Sequence, residues 1–211
     1  VKTQNSLIRS QKKLSMVIVN KKIYFNNSLG DLSAVNIENG ELLWQSPTQS
    51  SLIYDDGFFL KTSDIIADKD NLYFSNNKNE FFSIDIDNGT LNWKQKINSN
   101  LRPTLIDNYI FTISLNGYLI VIEKLSGNIL RITDIFKNFK KKRRSKIQPV
   151  GFIIGINNIY LTTDNGKLLI IDIATGTTSS TLKIDNDKIS RPFVLNKNLY
   201  IIKDNSIIKL N

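Results

Sequence analysis

Residues 83–93 read "SIDIDNGTLNW" and residues 34–44 read "AVNIENGELLW". In each, an acid or amide is followed four residues later by glycine, and four residues after that by tryptophan. Aligning the rest of the chain on this pattern yields two more copies. The polar position is Asn36, Asp85, Glu123 and Asp172, and the glycine is Gly40, Gly89, Gly127 and Gly176. Twelve residues before the polar position stands an aromatic ring: Tyr24, Tyr73, Phe111 and Tyr160. The glycines step by 49, 38 and 49 residues, and the aromatics step identically. A fifth ring, Tyr200 in "NLYII", continues the series. Three features kept in register four times mark a tandem repeat whose period suits one small sheet per unit.

Each unit reads as four short strands. In the second these are "SDIIAD", "NLYFSN", "EFFSIDI" and "TLNWKQKI", separated by the turn signals "KDN", "NNKN" and "DNG". β-branched and aromatic residues dominate the runs. In "LLIIDI", residues 168–173, Leu169, Ile171 and Ile173 point one way while Leu168 and Ile170 point the other. A strand greasy on both faces belongs to a sheet covered on both sides. No stretch shows helical periodicity, so the cover must come from neighbouring sheets. The expectation is an all-β fold, a β-propeller of four-stranded antiparallel blades. The units are about 14–47, 63–97, 102–133, 149–184 and 191–211, the last ending after its third strand. Two pictures stand open for residues 1–211. Residues 1–10 are the outer strand of an earlier blade in a larger, eight-bladed ring, or they supply the missing strand of a five-bladed one. Closing a ring with a strand borrowed from the N-terminus removes an open sheet edge.

Within the motif, Gly89 after Asn88 is expected in the hairpin between the third and fourth strands, where positive dihedrals favour glycine. Asp85 is placed to accept backbone N–H groups or to reach a neighbouring blade. Trp44 and Trp93 are placed to bury their rings against the adjacent blade. The motif therefore reads as structural, with Asp85, Asp172, the four glycines and the two tryptophans holding blades together.

The pattern A-x-D-x-x-x-G-x-x-x-W resembles the tryptophan-docking motif of the quinoprotein (PQQ-type) propeller repeat. It is carried by Ala34, Asn36, Gly40 and Trp44, and by Ser83, Asp85, Gly89 and Trp93. The third and fourth copies depart from it at Arg131 and Ser180. The resemblance implies one of two branches. Quinone-dependent dehydrogenases use a calcium site, a catalytic aspartate and often a vicinal cysteine pair. This chain has no cysteine, and no acidic cluster with oxygen-ligand spacing stands outside the repeat motifs. A calcium site assembled from distant loops stays open. The other branch, BamB-like, is a non-catalytic scaffold of outer-membrane β-barrel assembly. It implies a periplasmic protein, tethered to the outer membrane through an N-terminal segment that is not in this chain, with another subunit of the assembly machinery as partner. The branch favoured is the second: no enzyme, no catalytic residue, no cofactor and no metal. A dehydrogenase-type domain, or a sensor or adaptor propeller, is the alternative.

Composition agrees with a binding protein. The 211 residues are 41% hydrophobic and 22% charged, with a formal charge of +9 and no histidine. Lacking histidine removes the usual general base and the commonest metal ligand. No apolar run reaches the roughly 18 residues that span a bilayer.

Two long connections are the candidate binding segments. Residues 46–62 carry Leu52, Ile53, Tyr54, Phe58, Phe59 and Leu60, candidate anchors for a protein partner or cover for the blade end. Residues 134–149 carry Lys140, Lys141, Lys142, Arg143 and Arg144, with Phe136 and Phe139 upstream. This basic loop reads as a solvated charged loop, as a contact for an acidic protein or an anionic membrane surface, or, least favoured, as a nucleic-acid arm. Finally, Arg102–Pro103, Gln148–Pro149 and Arg191–Pro192 each open a first strand, which would bring Arg102 and Arg191 to one mouth of a central channel.

Overall fold

A computed structural model describes residues 15–27, 31–48 and 61–210. The chain divides into two compact units, Val1–Pro103 and Thr104–Asn211. The proposed outer strand at residues 1–10 lies outside the described residues.

The first unit contains two four-stranded antiparallel meanders. One is β1 (Met16–Val19), β2 (Lys22–Asn26), β3 (Leu32–Asn36) and β4 (Leu42–Ser46). The other is β5 (Ile66–Ala67), β6 (Asn71–Asn76), β7 (Glu80–Asp85) and β8 (Leu91–Gln95). The strand expected over "SDIIAD" is thus cut to two residues, supplemented by a single bridge from Thr62 to Asn76. The second unit contains three sheets. They are β9 (Thr104–Ile106) to β12 (Ile129–Asp134), β13 (Pro149–Ile154) to β16 (Thr178–Lys183), and the three-stranded β17 (Phe193–Leu195), β18 (Asn198–Lys203) and β19 (Ser206–Leu210). Between them lie β10 (Tyr109–Ile113), β11 (Tyr118–Glu123), β14 (Asn158–Thr163) and β15 (Lys167–Asp172). One element departs from the expected all-strand content. The basic loop carries a one-turn helix, α1 (Lys141–Arg144). Four residues are too few for a sequence period to register.

The aligned motif positions occupy one cross-strand row in every complete sheet. Tyr24 pairs with Ala34 and Ala34 with Trp44; Tyr73 pairs with Ser83 and Ser83 with Trp93. Phe111–Val121–Arg131 and Tyr160–Ile170–Ser180 repeat the row in the second unit. In all four sheets the register slips by one residue just beyond this row, between the third and fourth strands. The extra residue is a bulge, which bends the outer strand and increases its twist.

The middle strands are buried on both faces, as the doubly apolar patterns required. Leu168, Leu169 and Ile171 in β15, and Leu119, Ile120, Val121 and Ile122 in β11, are all buried. In the first unit Tyr24 and Leu32 of one sheet share a core with Leu72, Phe74 and Ile84 of the next. In the second, Leu168 of β15 packs with Ile189 of the β16–β17 connector and Ile201 of the following sheet. Neighbouring sheets therefore supply each other's cover. Burial of one such side chain contributes about 1.5–3 kcal/mol.

Candidate functional site

The repeat motif places its polar atoms in turns. The Asp85 carboxylate accepts the N–H groups of Asp87 and Asn88 at 2.9 and 3.0 Å. Asn36 accepts from Glu38 at 2.8 Å, Glu123 from Ser126 at 2.8 Å and Asp172 from Thr175 at 2.7 Å. The glycine closes each turn by donating its N–H to the carbonyl of the polar residue, at 2.9, 3.0, 2.9 and 2.8 Å along the chain. Gly89 lies at φ +74° and the other three within a few degrees of it, whereas Asn88 does not share the left-handed conformation. The turn is thus a longer one than the two-residue hairpin expected of "NG", and only its last residue needs glycine. Hydrogen bonds from Ser126 hold the Glu123 carboxyl below its usual range, and those from Thr175 do the same for Asp172. These oxygens are committed to their own turns.

The same glycine meets the preceding sheet. A Cβ on Gly89 would stand 2.5 Å from the Trp44 ring. Ser46 donates to the Gly89 carbonyl at 2.5 Å, and the Lys22 ammonium meets Asp87 at 2.9 Å, which raises the lysine's pKa. The Trp44 ring in turn lies 5.8 Å from Tyr24. Trp93 stacks 5.9 Å from Phe81 and 6.1 Å from Tyr73, whose buried hydroxyl titrates well above the usual tyrosine range.

In the second unit Arg131 stands where tryptophan stood. Its guanidinium donates to the carbonyls of Ile173, at 2.8 Å, and Ala174 in the next sheet's turn. Gly176 of that turn approaches Thr133, where a Cβ would come within 2.7 Å of Oγ1. The substitution seen in the sequence as a departure from the motif therefore does the same job by hydrogen bonding. A fork with several fixed donors on a long stem suits two adjacent carbonyls.

Two surfaces stand out among the described residues. In the first unit a cleft of about 440 Å³ lies between the end of β4 and the β7–β8 hairpin, lined by Pro47, Thr48, Phe82 and Leu91, with Glu80 and Lys94 at its polar side. Lys94 bridges Glu80 at 3.1 Å and lies over the Phe82 ring. The sequence carried no signal for this cleft, because its walls come from separate repeats. Thr48 on its wall is also where the 46–62 connection leaves the described residues. Leu52, Ile53, Tyr54, Phe58 and Phe59 all lie outside them.

The second surface is the basic connection. Ile135, Phe136 and Ile147 are buried and anchor it, and Phe136 lies across Gly117, whose φ is +82°. Phe139 meets Phe136 edge-on at 5.7 Å. The two rings pin the segment down. On this base α1 presents Lys141, Lys142 and Arg143 to solvent, while Arg144 is paired with Asp134. Lys140 precedes the helix and is exposed.

Arg191 is part-buried beside Gly151 and donates to the Phe152 carbonyl at 3.1 Å. Arg102 is exposed and belongs to the first unit. Neither unit alone holds both arginines. Among the described residues, no group of three or more His, Cys, Asp or Glu is arranged to hold a metal ion. No helix among them is long and apolar enough to cross a membrane.

Solved structures share this architecture. BamB from Moraxella catarrhalis superposes with a TM-score of 0.58 at 13% identity, covering 92% of this chain and 70% of that one. The quinohemoprotein alcohol dehydrogenase from Comamonas testosteroni gives 0.65 at 13%, covering 91% of this chain and 40% of the enzyme. The Pan2 WD40 domain from Neurospora crassa gives 0.64 at 10%, covering 92% and 59%. At such identities the likeness establishes the β-propeller fold and no more. No curated protein matches the sequence significantly. A family model described as outer membrane protein assembly factor BamB matches residues 2–133. Since that match spans more than half of the sequence and contains the tryptophan-bearing repeats, the chain belongs to this BamB-like family of PQQ-type propeller repeats.

Proposed function

We propose that this protein is a non-catalytic scaffold that holds protein partners during outer-membrane β-barrel assembly. The observation that carries the reading is the fate of the repeat carboxylates. Asp85, Glu123 and Asp172 are spent on backbone N–H groups within their own turns, which makes them structural residues. Membership of the BamB-like family supplies the partner class. The binding surface proposed is the cleft bordered by Pro47, Thr48 and Leu91, with Phe58 and Phe59 of the 46–62 connection as candidate anchors. An extended segment of a partner could also pair with β19, the last strand of its three-stranded sheet, on which Ile207 is 67% exposed. The placement is periplasmic, at the outer membrane.

The test is affinity capture with the intact gene product from envelope extracts. Recovery of the barrel-assembly complex is expected. Phe58→Asp with Phe59→Asp should reduce that recovery while leaving thermal unfolding nearly unchanged. A large fall in melting temperature would show instead that these rings belong to the core. Saturable binding of calcium together with a quinone cofactor would move the protein to the dehydrogenase branch.

A further inference from the structure

The basic connection does not act alone. Lys167, at the start of β15, lies over the Phe139 ring with its ammonium 4.7 Å from the centroid. Lys183 pairs with Lys167 across the β15–β16 ladder and donates to the Asn165 carbonyl at 3.0 Å. Burial, followed by repulsion from Arg143 and from Lys183, lowers the Lys167 pKa. Cations from a connector helix and from two strands of the next sheet are therefore held together. Among the described residues, no carboxylate forms an ion pair with Lys141, Lys142, Arg143, Lys167 or Lys183.

Topology gathers this charge at one end of the sheets. The connector after β12 bonds to the β10–β11 turn, Ile135 N–H donating to the Gly117 carbonyl, and the connector after β16 bonds to the β14–β15 turn, Ile184 N–H donating to the Gly166 carbonyl. Acids at that end are partly consumed: Asp134 by Arg144 and Asp185 by Lys203 at 2.5 Å, leaving Asp164, Asp187 and Asp204. The opposite turns of the same unit set Lys124 and Lys197 against Asp107, Glu123 and Asp172. One end is thus strongly cationic and the other is not.

We infer that this end of the second unit, through α1, Lys167 and Lys183, docks on a bilayer surface bearing anionic phospholipid headgroups. Three features choose lipid over other polyanions. Lys141, Lys142 and Arg143, successive on one helical turn, point in directions about 100° apart, so a rigid protein face meets only some of them. A fluid array of headgroups rearranges to meet each. Single-stranded nucleic acid needs aromatic platforms, and both phenylalanines of this segment are turned to the protein. The helix is a single turn, about 6 Å long, too short to lie along a major groove and present side chains to successive base edges. The inference is independent of the partner-holding role and uses a different surface.

Co-sedimentation of the full chain with phosphatidylglycerol vesicles, against phosphatidylcholine vesicles, tests it. Binding to the anionic vesicles alone is expected, weakening as salt rises. Lys141→Glu with Lys142→Glu should lower partitioning at least ~10-fold, and Lys167→Met about 5-fold, from roughly 1 kcal/mol per basic residue near the surface. Lys197→Glu, at the opposite end, should leave partitioning unchanged. Circular dichroism checks that each variant is folded. Absence of binding at low salt, equal binding by the Lys141/Lys142 variant, or tighter binding to duplex DNA or polyglutamate at matched charge would overturn the inference.

Discussion

At the residue scale, the contact between Trp44 and Gly89 concentrates what the motif does. Gly89 needs its positive φ and also the absence of a side chain, because a Cβ would overlap the Trp44 ring. Gly89→Ala should cost about 2–4 kcal/mol, combining left-handed strain with overpacking. Trp44→Ala should cost about 2–3 kcal/mol, below the fully buried range because the ring is only half-buried. The two losses should not add: removing the ring makes room for the new methyl, giving a coupling of about 1 kcal/mol or more in a double-mutant cycle. Urea melts of the four proteins measure it, and strict additivity would refute the contact. Trp44→Phe should be milder than usual for such a truncation. The buried Trp44 indole N–H has no hydrogen-bond partner among the described residues, so its removal relieves a cost.

At the element scale, the outer strands β4 and β12 join their sheets to the following sheet of the same unit. In the second unit that joint is Arg131 on β12 and two carbonyls in the turn after β15. Arg131→Ala should destabilise by about 1–3 kcal/mol, the range for charge-assisted hydrogen bonds. Arg131→Lys should recover little, since an ammonium cannot serve both carbonyls with a planar fork. Thermal melts of the two variants decide this; full rescue by lysine would show that charge alone matters. The sequence displayed the repeat at this position but not its chemistry. Arginine looks like decay of a tryptophan motif until the neighbouring carbonyls are seen. Tryptophan at the other copies was legible because it recurs at a fixed spacing from a glycine, although the glycine that Trp44 meets belongs to the next sheet's turn. The turn itself was half legible: glycine announced the left-handed residue, while turn length depended on the carbonyl that the glycine's N–H finds.

At the scale of the whole molecule, the repeat carboxylates make stability depend on acid. The folded-state pKa values of Glu123 and Asp172 lie below their usual values through hydrogen bonds to Ser126 and Thr175, and that of Asp185 through Lys203. Depressed carboxyl groups stabilise the fold fully above the unfolded pKa, near 4, and lose that contribution as pH falls through the lowered values. The melting temperature should therefore be flat with respect to these groups from neutral pH to about pH 5 and fall below pH 4. Asp172→Asn should make the acid fall shallower, and a melting profile unchanged by that substitution would remove Asp172 from the account. What the sequence determined by itself was the repeat, the strand pattern and the family, because period and alternation are properties of neighbours along the chain. What only the tertiary structure decided was the pairing between copies. Arg131 reaching the next turn, the cleft beside Pro47 and the gathering of Lys167, Lys183 and α1 join residues far apart in sequence. Burial and charge at such places depend on which surfaces packing brings together, and no local pattern records that.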